Sequence, residues 1–569
     1  MIQTKINYLN YLESIKSITK NLDISSLQEL ERIKSNITNI ELIVPIVGGF
    51  SAGKSTLINS YLQTNILPTG ITPETALATE LRYSNEEFID AIKNDDTIQR
   101  YSIEQIEEIK NNATNYKYIR LHLNNDKLKQ IEPLILVDMP GFDSPLELHN
   151  QAILNYLNKG IYFIVLTSVE EGNIQKSTLR ELENITEFGK GFSFCLSKIN
   201  LRAKNDVFEI EAKIKEQLDD YFNFKEEIVK VANTGGNELE NILTTIDVEK
   251  LFEKIFLSDL NNNHIEIISS INTIISTLQA SQEESNNAIK ELQASIDKII
   301  DKKNNMIEKT KSKYSEAGVD NIIESVARAL SSNIENLTTL ALSNNDGFSR
   351  EINDIVKNTL IYEVKNKMQD TSSDIVDNFS IELKDVVSGL SNFELGDKWL
   401  NTISESTKNL IKDAQNGLSS VINNRDTTST NNLYKGITAI LGITTTMINP
   451  LLEVVIVFLP EIIAFFTAKS KEAKKKAEIS NKLNTEIIPS IKSKIRSVLP
   501  DIYNNQVKSI IEIISDQFEK QLKTKELEIS KTQETKSNNI KDIEIEIEKL
   551  NSVKVQLKDL ARTSLNGVM

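Results

Sequence analysis

The chain is poor in the residues on which most covalent and metal chemistry depends. It has one cysteine, Cys195, and three histidines, His122, His149 and His264, far apart in sequence. A single thiol excludes an intramolecular disulfide framework and a thiolate metal cluster, and the scattered imidazoles give little support to zinc-type or Ser-His catalysis. Tryptophan is nearly absent; Trp399, in GDKWLN, suits packing at a helix start. Positive charge is short as well: 65 Lys and Arg against 81 Asp and Glu leave a net charge of −16. So acidic a chain is not expected to bind nucleic acid generally, because a phosphate backbone needs a basic face. The opening residues, MIQTKINYLNYLESIKS, lack a basic start followed by an apolar core, so no secretory signal is read and a cytoplasmic protein is expected. Length is plentiful: 569 residues exceed the roughly 250–300 that one core usually reaches, so several domains are expected.

Hydrophobic spacing divides the chain. In residues 1–39, Ile2, Ile6, Leu9, Leu12, Ile15 and Ile18, then Leu27, Leu30, Ile33 and Ile37, recur every three or four positions, which predicts helix with a break near Asp23–Ser26. Across 40–255 short apolar runs (IELIVPIV, YKYIRLHL, PLILVD, IYFIVLT, FSFCLS, EIVKVA) alternate with helical stretches. That is the pattern of an α/β domain with a mainly parallel sheet and helices on both faces. Pro45 lies inside the first run; lacking an N–H, it is expected at a strand start or a bulge. From 256 the strand signal stops. Long amphipathic helices are predicted over 256–432 and 477–569, with NNRDTTSTNN (423–432) read as a linker and an apolar segment at 433–476 between them. Pro489 and Pro500 are expected to interrupt or end helices. Ile540, Ile543, Ile547, Leu550, Val553, Leu557 and Leu560 run close to a heptad. The second half is therefore expected to be an elongated α-helical bundle.

GGFSAGKS (48–55) matches G-x-x-x-x-G-K-[ST] after an apolar run and before the amphipathic TLINSYL. In such a loop Gly48, Gly49, Phe50, Ser51, Ala52 and Gly53 present backbone N–H groups to phosphate oxygens. Lys54 brings a cation to the β- and γ-phosphates, Ser55 offers a hydroxyl to Mg²⁺, and the helix from Thr56 onward points its positive end at the phosphates. DMPG (138–141) follows PLILV: Asp138 can hold the Mg²⁺ shell and the Gly141 N–H can sense the γ-phosphate, which is the GTPase arrangement. Between them, LPTGITPETALATEL (67–81) offers Thr75 as the switch threonine that reaches Mg²⁺, with Thr72 as its competitor.

SKIN (197–200) follows FSFCL, where a base-reading [NT]-K-x-D is expected. Lys198 fits as the platform for the purine, but Asn200 stands where a carboxylate would accept from guanine N1 and N2. An amide offers one acceptor and one donor, so a donor would face a donor. Three consequences stay open: weakened guanine specificity, compensation by a neighbour such as Asp206, or poor turnover. ANTGG (232–236) is a candidate for a further base-contacting loop.

GGFSAGKST, the LPTGITPETA loop, DMPG and the SKIN position together resemble the dynamin superfamily, specifically bacterial dynamin-like proteins of the type found with enterotoxin-output operons. The motifs cover about residues 40–240. The resemblance implies a GTPase domain at 40–255, with 1–39 contributing to a neck, 256–432 forming neck and trunk, 433–476 a paddle-like tip, and 477–569 the return helices. It implies GTP and GDP as ligands with Mg²⁺, self-association of GTPase domains across their nucleotide faces, a swinging neck and trunk, and a partner dynamin-like subunit as an option. It further implies catalysis without an arginine finger by Ser51, Lys54 and Thr75, with Ser51 aided by an optional monovalent cation. Phe50 stands where eukaryotic dynamins carry a water-positioning glutamine. With Asn200, it argues for weak or partner-dependent GTP turnover.

GITAILGITTTMINPLLEVVIVFLPEIIAFFTA (436–468) is the most apolar stretch, broken by Pro450 and Pro460 and followed by KSKEAKKK (469–476). An apolar hairpin beside a lysine cluster suits insertion into one leaflet next to anionic headgroups, and it resembles the paddle of bacterial dynamin-like proteins. A buried bundle end or an assembly surface is the competing reading; its charge-free part is at the short edge for a span. The lead expectation is a mechanochemical GTPase, cytoplasmic and peripherally bound to anionic membrane through 436–476. The alternative is a nucleotide-gated or nucleotide-dead helical scaffold for partner proteins. A coiled-coil ATPase of the chromosome-maintenance type is disfavoured, since LILVDMPG has no acidic residue after its aspartate and no LSGG-like segment appears.

Overall fold

The computed structural model describes residues 2–69, 77–141, 147–232, 235–310, 316–343, 345–415, 448, 451–452 and 472–565. Thr72, Thr75, the linker 423–432 and nearly all of 436–471 lie outside them.

Two helices open the chain, α1 (Gln3–Ile18) and α2 (Gln28–Asn39), separated by a 3-10 turn at Ser25–Leu27. The break falls where the apolar period lapses. A nine-stranded sheet follows: β1 (Leu42–Gly48), β2 (Ala78–Tyr83), β3 (Phe88–Lys93), β4 (Ile98–Tyr101), β5 (Tyr116–Leu123), β6 (Leu134–Asp138), β7 (Tyr162–Ser168), β8 (Gly191–Ser197) and β9 (Val229–Lys230). The order is β4-β3-β5-β2-β6-β1-β7-β8-β9. The strands from β6 through β9 pair in parallel, as do β2 and β5, while β2–β6, β3–β4 and β3–β5 are antiparallel. The sheet is thus mainly parallel, and its central strands β1 and β6 are buried along their whole length because helices cover both faces. The helices within this region are α3 (Lys54–Leu62), α4 (Ile106–Asn111), α5 (Asp126–Gln130), α6 (Glu147–Lys159), α7 (Lys176–Glu187), α8 (Lys204–Phe222) and α9 (Gly236–Thr245).

Pro45 corrects one expectation. It sits in the middle of β1, opposite Val137 of β6. Leu42 N donates to Pro133 O on the β6 side, so by alternation the nitrogen of residue 45 faces β7. There the pairing lapses between Ile43↔Gly160 and Ile46↔Ile164. The missing N–H falls in that gap and no ladder bond is lost.

The rest is helical: α10 (Val248–Gln279), α11 (Gln282–Glu308), α12 (Glu316–Ser332), α13 (Ile334–Ser343), α14 (Asn345–Val387), α15 (Asp397–Gln415), α16 (Glu472–Lys482), α17 (Ile488–Thr535) and α18 (Ile540–Ser564). At 48 residues, α17 is about 72 Å long at 1.5 Å per residue. Pro489 stands in the first turn of this helix rather than ending one, and Pro500 lies inside it and does not end it. An interior proline costs a helix about 3 kcal/mol. Burial of Leu499 and Tyr503 on either side of Pro500 against the neighbouring helices offsets that cost. The first and last helices meet: α1 and α18 both pack on α10, burying Tyr8, Leu12, Ile15, Phe252, Phe256 and Leu557 in one core. Glu249 of α10 caps α1, its carboxylate accepting from Gln3 N at 2.6 Å and Thr4 N at 2.7 Å.

Candidate functional site

The candidate site forms where β1 ends. Residues 49–53 turn over the end of that strand and hand the chain to α3. A Cβ on Gly48 would collide with the Leu166 carbonyl oxygen of β7, so only glycine lets the strand leave the sheet here. Ser51 adopts a positive φ of 62°, which turns the loop back on itself. Lys54, largely buried, curls over the loop and donates to Gly48 O at 3.2 Å and Gly49 O at 3.0 Å. Its ammonium is therefore held at the centre of a ring of backbone groups, within reach of a phosphate placed there. Ser51 and Thr56 are exposed at the mouth, Ala52 is buried, and Phe50 is half-buried.

Two distant segments complete the arrangement. Asp138, at the end of β6, is fully buried and accepts from Ser55 Oγ at 2.6 Å through Oδ2. Its Oδ1 has no hydrogen-bond partner among the described residues. Burial pushes the Asp138 carboxyl up to about 6, against the opposing pull of the Ser55 hydrogen bond and the Lys54 charge. A buried carboxylate oxygen with nothing to bond, beside a serine hydroxyl, suits a hard cation, and Mg²⁺ with its oxygen preference fits these donors. Among the described residues no group of three or more His, Cys, Asp or Glu forms a further metal cluster. Gly141 lies against the P-loop itself: a Cβ there would meet Phe50 Cα at 2.8 Å and Phe50 N at 2.9 Å. The DMPG turn is thus pressed on the loop, with Met139 N bonded to Ile46 O at 3.3 Å.

At the other end of the mouth, Ser197 Oγ donates to Ala52 O at 2.6 Å and lies 3.3 Å from Thr167 O, tying the SKIN turn to the P-loop. Lys198 has φ of 57°, and its Nζ pairs with Glu170 at 2.9 Å. Asn200 is exposed, as is Asp206 in the first turn of α8. Of the ANTGG run, Gly236 N accepts its place from α3 by donating to Ser60 Oγ at 3.1 Å. The structure therefore brings residues 48–56, Asp138, Gly141, Ser197 and Lys198 to one edge of the sheet, while Thr75 falls outside the described residues. Sequence reading missed Ser197 as a tie and Glu170 as the partner of Lys198. Only the parallel register of β7 and β8, Ser168 beside Ser197, brings that glutamate near.

A mainly parallel sheet with a phosphate loop after β1, a metal-suited aspartate after β6 and a lysine turn after β8 defines a P-loop GTPase fold. Residues 44–197 match the family model described as "Dynamin family". The segment carrying the motifs is therefore a dynamin-family domain, and the resemblance to bacterial dynamin-like proteins holds.

The chain is 26% identical over 216 residues to an "Uncharacterized protein in xynA 3'region" of Caldicellulosiruptor sp. (strain Rt8B.4), covering 35% of this chain and 51% of that protein. It is 25% identical over 250 residues to "Dynamin-like protein 2" of Campylobacter jejuni, covering 41% of this chain and 39% of that protein. The alignments thus span about half or less of these relatives' own length. Among solved structures, an oligomerised bacterial dynamin pair described as sensing and tethering membranes shares 15% identity at a TM-score of 0.33, covering 98% of this chain and 95% of that chain. The LeoA bacterial dynamin GTPase from ETEC shares 13% at a TM-score of 0.30, covering 98% and 97%.

Proposed function

We propose that the chain is a dynamin-like mechanochemical GTPase that hydrolyses GTP to GDP and phosphate and couples this cycle to membrane binding or remodelling. The observation that carries the reading is Asp138: buried, bonded to Ser55 by one oxygen and partnerless at the other, beside a phosphate loop whose lysine rests on its own carbonyls. Water attacks the γ-phosphorus, and the bond to the β–γ bridging oxygen breaks with its electron pair going to GDP. Such a reaction needs no protein nucleophile; positioning and electrostatics suffice. Lys54 would leave the Gly48 and Gly49 carbonyls for the β- and γ-phosphate oxygens, the N–H groups of residues 49–55 would cradle them, and the Gly141 N–H would face the γ-phosphate. Mg²⁺, held by Ser55 and Asp138 with Thr75 as a further ligand, would supply charge neutralisation between the two phosphates. Ser51 would stabilise developing charge, with a monovalent cation as an optional aid. The purine would lie on the Lys198 stem with its edge toward Asn200.

Pairing of GTPase domains across the nucleotide mouth, where Ser51 and Thr56 are exposed, fits a site open on that side. Residues 436–476 would bring an anionic membrane surface to the chain, which is then a cytoplasmic protein peripherally bound to membrane. No described helix is long and apolar enough to cross a membrane.

Steady-state hydrolysis of GTP, ATP and xanthosine triphosphate with Mg²⁺, over a range of protein concentrations, tests the reading. Expected are GTP turnover that rises per molecule with concentration, and loss of nucleotide binding in Lys54→Ala. Turnover of none of the three by folded protein would remove the hydrolase reading; unchanged affinity in Lys54→Ala would remove the site. Co-sedimentation with anionic vesicles, before and after deletion of 436–468, tests the membrane reading. A nucleotide-gated scaffold is the second reading. It is favoured by Phe50, an apolar side chain beside Gly141 where a water-orienting group would serve hydrolysis, and by the amide of Asn200.

A further inference from the structure

Two serines stand side by side where β7 and β8 leave the sheet. Ser168 is the last residue of β7 and Ser197 the last of β8, and they are register partners. Each shapes the turn that follows its strand. Ser197 ties the SKIN turn to Ala52 O of the P-loop. Ser168 caps a 3-10 turn at Val169–Glu171: its Oγ accepts from Glu170 N at 3.2 Å, and Gly172, with φ of 69°, ends the turn. A second 3-10 turn, Ile199–Leu201, follows Lys198 and packs on the first. Because the two strands are parallel, both turns emerge at the same edge of the sheet.

This pairing of turns puts one carboxylate on the candidate base platform. Glu170 Oε2 accepts from Lys198 Nζ at 2.9 Å and from Ser168 Oγ at 3.4 Å. The same serine therefore fixes both the backbone and the side chain of the glutamate. The Lys198 side chain is 27% exposed and that of Glu170 50%, so the pair stands at the mouth and not in the core. The hydrogen bond from Lys198, with smaller help from Ser168 and Arg202, holds the Glu170 carboxyl below the ordinary carboxylate range, and it is ionised at neutral pH. Asp206, the neighbour that the sequence offered, is exposed in the first turn of α8; the ion pair of Lys198 is with Glu170.

A lysine can serve a purine as platform only if its stem stays beside the ring. A lysine stem has much rotamer freedom to lose, and a partner that orders it before the ligand arrives spares the ligand that cost. Glu170 is such a partner, and it acts at the ammonium rather than at the base. An acceptor placed there needs no particular donor on the purine. That matters here because the Asn200 amide cannot offer guanine two acceptors, so stacking on Lys198 carries a larger share of base binding.

We propose that Glu170 is a positioning residue for the base: it braces Lys198 as the platform on which a purine stacks, and does so whichever hydrogen-bonding edge the purine presents. This role rests on the nucleotide-binding reading above.

Calorimetric titration of the full chain with GDP, inosine diphosphate and xanthosine diphosphate, in the presence of Mg²⁺, tests it. The three ligands share ribose and phosphates and differ only at C2 of the base. Glu170→Gln keeps the side chain's shape and removes its charge; it should weaken all three by the same factor, about two- to fivefold. Glu170→Lys should weaken them further, and the loss should shrink as salt is raised, since a half-exposed pair is screened. In a Lys198→Met chain, Glu170→Gln should change nothing, because the brace has no ammonium to hold. Loss of GDP affinity alone, with xanthosine diphosphate unchanged or tightened, overturns the brace and makes Glu170 a direct reader of the base edge. Equal affinities in parent and Glu170→Gln overturn it too, as does a loss that persists in the Lys198→Met chain. No GDP binding by folded parent protein overturns the nucleotide reading, and the brace with it.

Discussion

Two buried helix contacts differ in what they bury: α1, α10 and α18 pack together among the helices, while α7 of the sheet region packs on α14. At the α1–α10–α18 joint, Phe252 and Phe256 lie 4.7 Å apart and Tyr8 stands 6.2 Å from Phe252. Its buried polar contact, Tyr11 Oη with His264 Nδ1 at 3.0 Å, is uncharged, because burial holds His264 down to about 4. At the α7–α14 joint Glu181 and Lys357 pair with both side chains buried, and Lys190 is buried just beyond α7, in a core that also holds Ile185, Phe188, Ile361 and Val364. An apolar joint derives its stability from area removed from water and loses it on opening. A charged joint sits near balance, since desolvation and pairing nearly cancel. The first is suited to permanence and the second to change, although both look simply "buried".

Three perturbations would break or sharpen that contrast. The largest effect is expected at the apolar joint: Phe252→Ala should cost about 4 kcal/mol, read by chemical denaturation, with no rescue by any single partner substitution. A loss under about 1 kcal/mol would show that this joint is loosely packed. Next, Lys357→Met should cost about 3 kcal/mol, since it leaves the Glu181 carboxyl buried without its cation, whereas Lys357→Met with Glu181→Leu should return close to the parent stability. If the double variant stays as unstable as the single one, the α7–α14 contact is held by something other than this charge pair.

The smallest change has the opposite sign. Lys190→Met removes an unpaired buried cation and should raise stability by roughly 1–3 kcal/mol at neutral pH. Burial, with Lys254 and Lys365 nearby, holds the Lys190 ammonium down to about 7, below its ordinary 10.5. Between those values the unfolded chain carries the proton and the folded chain does not, so stability should rise with pH above about 7. Denaturation midpoints at pH 7 and pH 9 should show that rise in the parent and lose it in the variant.

Much of the candidate site is legible in the sequence, for a local reason. Gly48, Gly53, Lys54 and Ser55 are consecutive demands of one tight loop, so they appear as a spacing in the chain. The period of apolar runs likewise showed the parallel sheet and the long helices. Pro45 and Pro500 were misjudged by the same local logic. At Pro45 the missing N–H falls in a gap of the pairing with β7, and at Pro500 the bond lost to the preceding turn is offset by burial of Leu499 and Tyr503.

The partners across the α7–α14 contact were illegible for the converse reason. KSTLRELENITE and EINDIVKNTLIYEVK read as ordinary amphipathic helices with solvated charges, and Lys357 is 176 residues from the glutamate it meets. By itself the sequence determined what each short stretch must do to its own backbone: wrap a phosphate loop, end a strand at an aspartate, alternate strand with helix. Only the tertiary structure decided which charges became buried partners, that Asp138 keeps one oxygen unbonded, and that Ser197 ties its turn to Ala52. A backbone conformation costs energy among adjacent residues and is written there. A buried charge is balanced only by whatever the fold brings beside it, and no local pattern records that.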